Sequence, residues 1–396
     1  MKILVINSGS SSIKYQLFEM PEAKVIAKGL LEKIGEGNSY FTQKSEKGIL
    51  ELKKSIPDHE NGIALILSAL TDKENGAVDS IEEIAGVGHR VVHGGEGFSS
   101  SVRITPEIIG KIRKYAGLAP LHNPPNLMGI TACEKALPHA AQVASFDTAF
   151  HHSLPQKAYL YPIPYEMYKK YEIRKYGFHG TSHLYVARRA ASLLNNPEAN
   201  LITCHLGNGC SITAVEKGVS VDTSMGFTPL EGLVMGTRCG DIDPAIIFYL
   251  LGKGYSADEL NVLLNKKSGL LGISGISNDM RNLTAAREKG DEKAKLAIDI
   301  FCYRLKKYIG SYLAVLGKTD AIVFTGGIGE NNSLVRLESL KGLEHLGIEI
   351  DERVNADLPF GQEIRISNDS SRIKVFVIPT NEELQIALNT FAFVGK

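Results

Sequence analysis

Three segments of the sequence place glycine, serine, threonine or asparagine directly after a short apolar run. They are 7–12 (NSGSSS), 207–211 (GNGCS) and 326–331 (GGIGEN). Such turns can point several backbone N–H groups inward without bulky side chains in the way, which suits the phosphates of a nucleotide. An ordinary tight hairpin explains one such turn taken alone, but the repetition favours phosphate binding. Lys14 could reach a phosphate from the strand after the first turn, and Asn7 could contact a metal ion or its water shell.

A second set of residues that could take part in chemistry consists of histidines, arginines and one aspartate in polar surroundings. They occur in 89–95 (HRVVHGG), 121–126 (LHNPPN), 146–151 (FDTAFH), 176–183 (YGFHGTSH) and 236–243 (GTRCGDID). We interpret 121–126 as a rigid loop that displays His122. Each segment taken alone is more often structural than catalytic.

The paired histidines do not predict a zinc site, although their i, i+4 spacing invites one. His89 and His93 span two valines, so we expect them on a strand, where this spacing does not form a chelate. His179 and His183 have Gly180 between them, and glycine is a poor residue for a helix interior.

Three segments resemble short catalytic or nucleotide-binding motifs, but each lacks other residues that its motif requires. Ser11-Ser12-Ile13-Lys14 has the Ser-x-x-Lys spacing of acyl-serine hydrolases, but the Ser-Asp-Asn and Lys-Thr-Gly partners do not occur. The segment 317–319 (GKT) resembles the end of a Walker A loop, yet the required first glycine would fall on Tyr312 within a predicted helix. The segment 327–329 (GIG) begins a dinucleotide fingerprint whose third glycine would fall on Asn332.

Strands must position these turns. Residues 3–6 with 13–18, and 201–206 with 212–215, predict two β-hairpins roughly 200 residues apart, which indicates a duplicated domain. Residues 321–325 predict a strand that enters a loop and then a helix.

Helices are predicted at two further places. Apolar residues from Ile298 to Leu316 recur every three or four positions, as in a helix with one buried face. Asn381-Glu382-Glu383 should open a last helix over 384–393. We predict an N-terminal domain at 1–150, to which residues 382–396 return, and a C-terminal domain at 151–381.

The composition narrows the function classes. The 396 residues include 44 basic and 44 acidic side chains, and this balance favours neither a nucleic-acid nor a membrane partner. The sequence shows neither a signal peptide nor a membrane span. The five cysteines form no Cys-x-x-Cys pair, so we expect reduced thiols in a cytoplasmic protein.

The motifs, taken in order, closely resemble the acetate kinase (acetokinase) family over residues 3 to about 384. The resemblance rests on the segments already quoted together with Ala119-Pro120, His205-Leu206 and Phe324-Thr325. Ser145, where the family usually has an apolar residue, is a departure in packing only. The resemblance implies an α/β fold of two similar ribonuclease H-like or actin-like ATPase domains with the nucleotide cleft between them. It also implies reversible phosphoryl transfer from MgATP to acetate, giving acetyl phosphate and ADP.

The resemblance implies a role for each matching residue. Arg90 and Arg238 would hold the carboxylate and the transferring phosphoryl group, His179 would donate a hydrogen bond to it, and His122 would assist. Asp147 would orient an arginine, because acetate has no proton to remove at neutral pH; acid/base work is the alternative. Magnesium, or manganese in its place, would be positioned by Asn7 and Glu382.

Two larger sets of residues follow from the same resemblance. The methyl group of acetate would be held by Val92, Leu121, Phe178 and Pro229, beside Arg90. ATP or ADP would be held by Lys14, Ser10, Ser12, His205, Leu206, Gly207, Asn208, Gly209, Asp279, Met280, Arg281, Gly327, Ile328, Gly329, Glu330 and Asn331, mostly in the second domain.

Two alternatives stay open at the level of sequence. A kinase for propionate or butyrate would differ by one or two methylenes, and one methylene in an apolar pocket discriminates by only ~1–3 kcal/mol. A non-enzymatic nucleotide switch of the same superfamily would bind ATP without needing Arg90 and Arg238. The resemblance also implies a homodimer.

Overall fold

A computed structural model describes residues 1–119 and 122–394. The chain divides into two compact units. Unit 1 consists of Met1–His152 and the segment that begins at Asn381, and unit 2 consists of Ser153–Thr380.

Unit 1 is built on an eight-stranded sheet in the order β5-β4-β3-β2-β1-β6-β8-β7. Strands β1 to β5 form an antiparallel meander, β6 and β8 continue parallel to β1, and β7 closes the edge antiparallel to β8. The strands are β1 (Lys2–Ser8), β2 (Ser12–Glu19), β3 (Lys24–Glu32), β4 (Ser39–Ser45), β5 (Ile49–Lys54), β6 (Ile84–Val91), β7 (Val102–Arg103) and β8 (Ala141–Phe146). The first predicted hairpin, β1 with β2, is confirmed.

Helices cover both faces of this sheet. They are α1 (His59–Leu70), α2 (Pro106–Lys114), α3 (Asn123–Ala136) and the last helix of the chain, α15 (Glu382–Val394). Alternate residues of β1 therefore face different helices: Leu4 and Ile6 pack in the cluster that contains residues of α1 and α3, whereas Ile3 and Val5 pack with α15. Burial on both faces explains why β1 is a continuous apolar run without alternation.

The last helix begins two residues before the predicted position. Asn381 accepts the backbone N–H of Leu384 through its side chain, as an N-cap does. Glu382 and Glu383 therefore lie in the first turn of α15, where the helix dipole favours negative charge.

Unit 2 is built on a six-stranded sheet in the order β11-β10-β9-β12-β14-β13. The strands are β9 (Leu201–Leu206), β10 (Cys210–Glu216), β11 (Val219–Thr223), β12 (Ala321–Thr325), β13 (Ile364–Arg365) and β14 (Lys374–Val377). The second predicted hairpin, β9 with β10, and the predicted strand β12 are confirmed.

The helices of unit 2 lie between and after these strands. They are α4 (Gln156–Tyr159), α5 (Tyr165–Tyr171), α6 (Gly180–Leu193), α7 (Ala245–Leu251), α8 (Ala257–Lys266), α9 (Gly269–Ser274), α10 (Met280–Glu288), α11 (Glu292–Leu316), α12 (Gly326–Asn331), α13 (Ser333–Leu340) and α14 (Glu352–Ala356). Helix α11 is the predicted helix, although it begins earlier, at an Asp291 N-cap. Helix α12 follows β12 directly, without the predicted loop.

The two sheets repeat one topology. In each unit an antiparallel three-stranded meander (β1-β2-β3 or β9-β10-β11) continues into two parallel strands and an antiparallel edge strand. Strands β4 and β5 are additions to the first copy. The predicted α/β fold class and its duplication are confirmed.

Among the described residues, no helix is both long enough and apolar enough to cross a membrane. The five cysteines are all free thiols.

Candidate active site

Arg90 and Asp147 form a two-point ion pair in unit 1. Arg90 lies near the end of β6 and Asp147 directly follows β8, the neighbouring parallel strand. Nε of Arg90 donates to Oδ1 of Asp147 at 3.0 Å, and Nη2 donates to Oδ2 at 2.7 Å. The Asp147 carboxylate, which is 1% exposed, raises the pKa of Arg90. The guanidinium is therefore permanently charged and fixed in orientation.

Two glutamates at the start of α15 complete this charge cluster. Oε2 of Glu382 lies 4.0 Å from Nε of Arg90. Burial raises the pKa of Glu382 to about 7, against the opposing effect of Arg90. Glu383 pairs with Lys14, with Oε1 and Nζ 2.5 Å apart. Lys14, predicted to reach a phosphate, is thus held by a carboxylate, although its side chain is 53% exposed.

The first hairpin turn places the other predicted residues of unit 1. Asn7 lies opposite Lys14 in the β1–β2 register. Gly9 donates its N–H to the carbonyl of Ser12 at 2.8 Å, which closes the turn around Ser10. Ser10 is exposed and Ser12 is half-buried.

Two asparagines that the sequence reading did not single out hold the segment after β6. Asn126 accepts the N–H of Val92 at 3.1 Å and donates to the carbonyl of Ser8 at 2.8 Å. Asn123 accepts the N–H of His93 at 3.0 Å and donates to its carbonyl at 2.9 Å. Both are buried on the first turn of α3.

The prediction of a rigid loop at 121–126 is wrong beyond His122. Helix α3 begins at Asn123, because Pro124 and Pro125 stand in its first turn, where a missing N–H costs nothing. His122 is exposed immediately before the helix. Leu121, predicted to contact the methyl group, lies outside the described residues.

In unit 2, His179 and Arg238 both lie against Gly209, in the turn between β9 and β10. A methyl group at Gly209 would be 3.4 Å from Nη1 of Arg238, 3.4 Å from Cε1 of His179 and 3.5 Å from its Nε2. The His179 ring also stacks on that of His205, with centroids 4.3 Å apart. A guanidinium and an imidazole therefore converge on one small space.

Arg238 makes no ion pair with any residue of the described chain. Its Nη1 donates to the carbonyl of Pro229 at 3.0 Å and approaches Sδ of Met235 at 3.6 Å. Burial lowers the pKa of Arg238. A partly desolvated guanidinium without a carboxylate is well suited to bind an anion.

Gly180 does not keep His179 and His183 apart from a helix, contrary to the expectation from the sequence. Gly180 is the first residue of α6 rather than an interior one, and His179 precedes it in the left-handed conformation, with φ of 56°. His179, Ser182 and His183 consequently lie on one face of the helix start. Ser182 contacts Nδ1 of His205 at 2.8 Å and Oγ1 of Thr380 at 2.7 Å.

The predicted nucleotide residues of unit 2 lie largely around one open cleft of about 570 Å³. This volume is in the usual range for small-molecule sites. Its lining includes the predicted Gly207, Asn208, Asp279, Met280, Arg281, Gly327, Ile328 and Asn331, and also Asn278, Asn332 and Phe360, which were not predicted.

Three other predicted nucleotide residues, Leu206, Gly329 and Glu330, lie outside the lining of this cleft. The Glu330 carboxylate accepts the N–H groups of Gly326 at 2.8 Å and Thr380 at 3.1 Å. Leu206 and Gly329 are buried. Gly326 has φ of +77°, and a Cβ there would be 2.7 Å from the carbonyl of Leu206, so this turn requires glycine.

The predicted methyl pocket divides between the units. Val92 belongs to unit 1, whereas Phe178 and Pro229 belong to unit 2. Val92 and Phe178 are buried. The pocket as a whole stays a prediction.

Similarity to known proteins extends over the whole chain. Residues 2–388 match the Acetokinase family. The acetate kinase of Clostridium botulinum (strain Alaska E43 / Type E3) is 54% identical, and the match covers 100% of both chains. The crystal structure of Porphyromonas gingivalis acetate kinase superposes with a TM-score of 0.95 at 47% identity, covering 100% of both chains. That of a propionate kinase from Francisella tularensis subsp. tularensis SCHU S4 has a TM-score of 0.92 at 45% identity, covering 99% of each.

Proposed function

Because the chain belongs to the acetokinase family, we propose that it transfers a phosphoryl group reversibly between ATP and acetate, giving acetyl phosphate and ADP. The likeness to acetate kinases over the full length carries this proposal. The geometry at Gly209 supports it, because a guanidinium and an imidazole converge there and a reaction between two anions needs positive charge and hydrogen-bond donors.

Arg238 and His179 are proposed to neutralise the transferring phosphoryl group. Phosphoryl transfer depends on positioning and on stabilising charge, with little covalent work for the protein. Bidentate donation from a guanidinium matches the planar faces of phosphoryl and carboxylate groups. Arg238 has this capacity unused, since its guanidinium donates to one carbonyl and approaches one thioether.

Arg90 is proposed to hold the carboxylate of acetate, with Asp147 as the residue that orients it. The two hydrogen bonds to Asp147 use Nε and Nη2 of Arg90, so Nη1 remains to meet a substrate. No general base is needed, because a carboxylic acid is ionised at neutral pH. His122 is proposed to assist at the same substrate.

Magnesium is proposed to accompany the nucleotide near Asn7 and Glu382. Among the described residues there is no cluster of three or more acidic, histidine or cysteine side chains that could enclose a metal. One carboxylate and one amide side chain suffice for magnesium, which keeps several waters and is bound chiefly through substrate phosphates. When bound, the ion would neutralise charge on the β- and γ-phosphates.

The cleft lined by Asn208, Asp279 and Gly327 is proposed to hold the adenosine and part of the phosphate chain. Arg281, whose side chain is 88% exposed, forms an ion pair with Asp279, so these two side chains can move apart to admit a ligand at small cost.

Hydroxylamine trapping of acyl phosphate tests the function. The chain is incubated with ATP and magnesium, and with acetate, propionate or butyrate in parallel. Fastest product formation with acetate is the expected result. Preference for propionate, the substrate named for the Francisella relative, would keep the mechanism and change the substrate. ATP binding without acyl phosphate from any acid would overturn the kinase and favour a nucleotide switch.

We further propose a cytoplasmic homodimer, with residues 1–150 plus the last helix and residues 151–381 as its two domains. Gel filtration with light scattering would give the mass of the assembly, which should be twice the 43.1 kDa of one chain.

A further inference from the structure

A buried layer of hydroxyl and imidazole groups lies between α6 and the sheet of unit 2. Thr203 and His205 share one face of β9, and Ser211 of β10 lies directly opposite His205 in the register. His183 points into this layer from α6. Thr203, His183 and Ser211 are all 0% exposed.

Three short hydrogen bonds join this layer to His179. Oγ1 of Thr203 lies 2.7 Å from Nδ1 of His183. Nε2 of His183 lies 2.7 Å from Oγ of Ser211. The same Oγ lies 2.9 Å from Nδ1 of His179. The four side chains therefore form a continuous chain that ends at the imidazole beside Gly209.

We propose that Thr203, His183 and Ser211 are positioning residues that keep the hydrogen of His179 on Nε2. This inference rests on the proposed function, in which His179 donates a hydrogen bond to the phosphoryl group. Nε2 is the ring nitrogen that lies against Gly209 and the space shared with Arg238.

The number of hydrogens on the four side chains determines which partner donates in each of the three hydrogen bonds. A neutral imidazole has one donor and one acceptor, and a hydroxyl has one hydrogen to donate. If Nε2 of His179 donates to substrate, its Nδ1 must accept from Ser211. Ser211 must then accept from Nε2 of His183, and Nδ1 of His183 must accept from Thr203. Each of the three hydrogen bonds then has one donor and one acceptor.

The opposite arrangement would require a proton on Nδ1 of His179. With that hydrogen on Nδ1, the direction of each hydrogen bond from His179 to Thr203 would be reversed. Nε2 could then donate to substrate only if His179 were an imidazolium, with hydrogen on both ring nitrogens. The groups that face His179 include Arg238, the stacked ring of His205 and, through Ser211, His183. The positive guanidinium of Arg238 disfavours a second positive charge on the neighbouring His179 ring. A neutral ring that donates to substrate from the side of Gly209 must carry its hydrogen on Nε2.

Nitrogen-15 NMR of histidine-labelled protein tests this inference without using activity. Ring nitrogens that carry hydrogen differ clearly in chemical shift from those that do not, and the His179 signals are identified by their loss in His179→Gln. In the intact chain we expect hydrogen on Nε2. Ser211→Ala and Thr203→Val should each transfer a measurable part of the population to Nδ1.

Thr213→Val is the matched control. Thr213 lies opposite Thr203 in the β9–β10 register and is equally buried, but its hydroxyl bonds to Thr223 at 2.9 Å. It should leave the His179 signals unchanged. Thr203→Ser, which keeps the hydroxyl, should restore the pattern that Thr203→Val disturbs.

Kinetics give a second readout. Ser211→Ala and Thr203→Val each lose one neutral hydrogen bond, which should lower kcat roughly threefold to tenfold and leave KM for acetate unchanged. Thr213→Val should change neither constant. Hydrogen already on Nδ1 in the intact chain, or identical spectra for the Thr203 and Thr213 variants, would overturn the inference. Absence of acyl phosphate in the trapping assay would overturn only the function, because the NMR pattern is read independently.

Discussion

Arg90 in unit 1 and Arg238 in unit 2 carry the same charge in opposite settings. Arg90 is neutralised in part by the buried Asp147 and lies near a second carboxylate, that of Glu382. The Arg238 side chain forms no ion pair with the described residues; its Nη1 donates to a carbonyl and approaches a thioether. The carboxylate raises the pKa of Arg90, whereas burial lowers that of Arg238.

The difference separates two ways of preparing a cation. An ion pair fixes the plane of a guanidinium and stabilises the fold. The paired carboxylate, however, already neutralises part of the positive charge before substrate binds. A guanidinium buried without a counter-ion costs stability and keeps its full charge for an anion. We therefore expect substitutions of the two arginines to agree in activity and to differ in stability.

The largest expected effect is on turnover after Arg238→Ala. Removing a donor that meets developing charge typically costs 10²–10³-fold in kcat, so we expect a loss of about a thousandfold. The free energy of unfolding should stay unchanged or rise slightly, because no carboxylate is left without its partner. Acyl phosphate trapping and urea unfolding measure the two quantities. A stability loss as large as that of the Arg90 variant would break the comparison.

Arg90→Met should lose both activity and stability. Asp147 would remain buried without a cation, which costs about 3 kcal/mol, and turnover should fall by about a hundredfold or more. The double variant Arg90→Met/Asp147→Asn is the matched control, since it removes the uncompensated charge. It should regain most of the free energy of unfolding and none of the activity; a double variant as unstable as Arg90→Met alone would contradict this account.

Glu382, the acid beside Arg90, should make the free energy of unfolding depend on pH. Arg238 in unit 2 has no such acid paired with it among the described residues. The folded-state pKa of Glu382 is raised from 4.5 to about 7, so protonation favours the folded chain. This contribution is fully present below pH 4.5 and is lost as the pH rises to about 7, by roughly 3 kcal/mol. Glu382→Gln should abolish it.

The comparison with Glu382→Gln is needed because His89 works in the opposite direction. Burial lowers the pKa of His89 to about 4, so its contribution is lost as the pH falls from 6.5 toward 4. Unfolding free energies measured at several pH values for the chain and for Glu382→Gln isolate the glutamate. Parallel curves for the two proteins would show that Glu382 titrates normally.

The smallest expected effect is that of Lys14→Ala. The Lys14–Glu383 pair has a half-exposed lysine, and such pairs contribute less than about 1 kcal/mol to stability. If Lys14 turns to a phosphate when nucleotide binds, KM for ATP should rise about threefold to tenfold with KM for acetate unchanged. Glu383→Gln is the control, because it frees Lys14 and should not raise KM for ATP. A change confined to acetate would place Lys14 elsewhere.

The sequence predicted the strands and their glycine turns because each depends on neighbouring residues. An apolar β-rich run followed by glycine is a local signal, and β1, β9 and β12 all carry it. The start of α3 was missed because two consecutive prolines suggest a loop, although proline is favoured in the first turn of a helix.

The contacts around the candidate site could not be predicted, because they depend on register. Arg90 and Asp147 are 57 positions apart, and only the pairing of β6 with β8 brings them together. Asn126 and Ser8, 118 positions apart, meet for the same kind of reason. Thr203 looked like an ordinary strand residue, since threonine is common in strands.

The last helix has a consequence for how the chain is made. Helix α15 fills the space over β6 so closely that a Cβ at Gly88 would be 2.4 Å from Oγ1 of Thr390. Its residues Ile386 and Ala387 complete the core around Ile3 and Val5. During synthesis, the face of the N-terminal sheet that carries Ile3 and Val5 therefore stays uncovered by α15 until all of unit 2 has been translated.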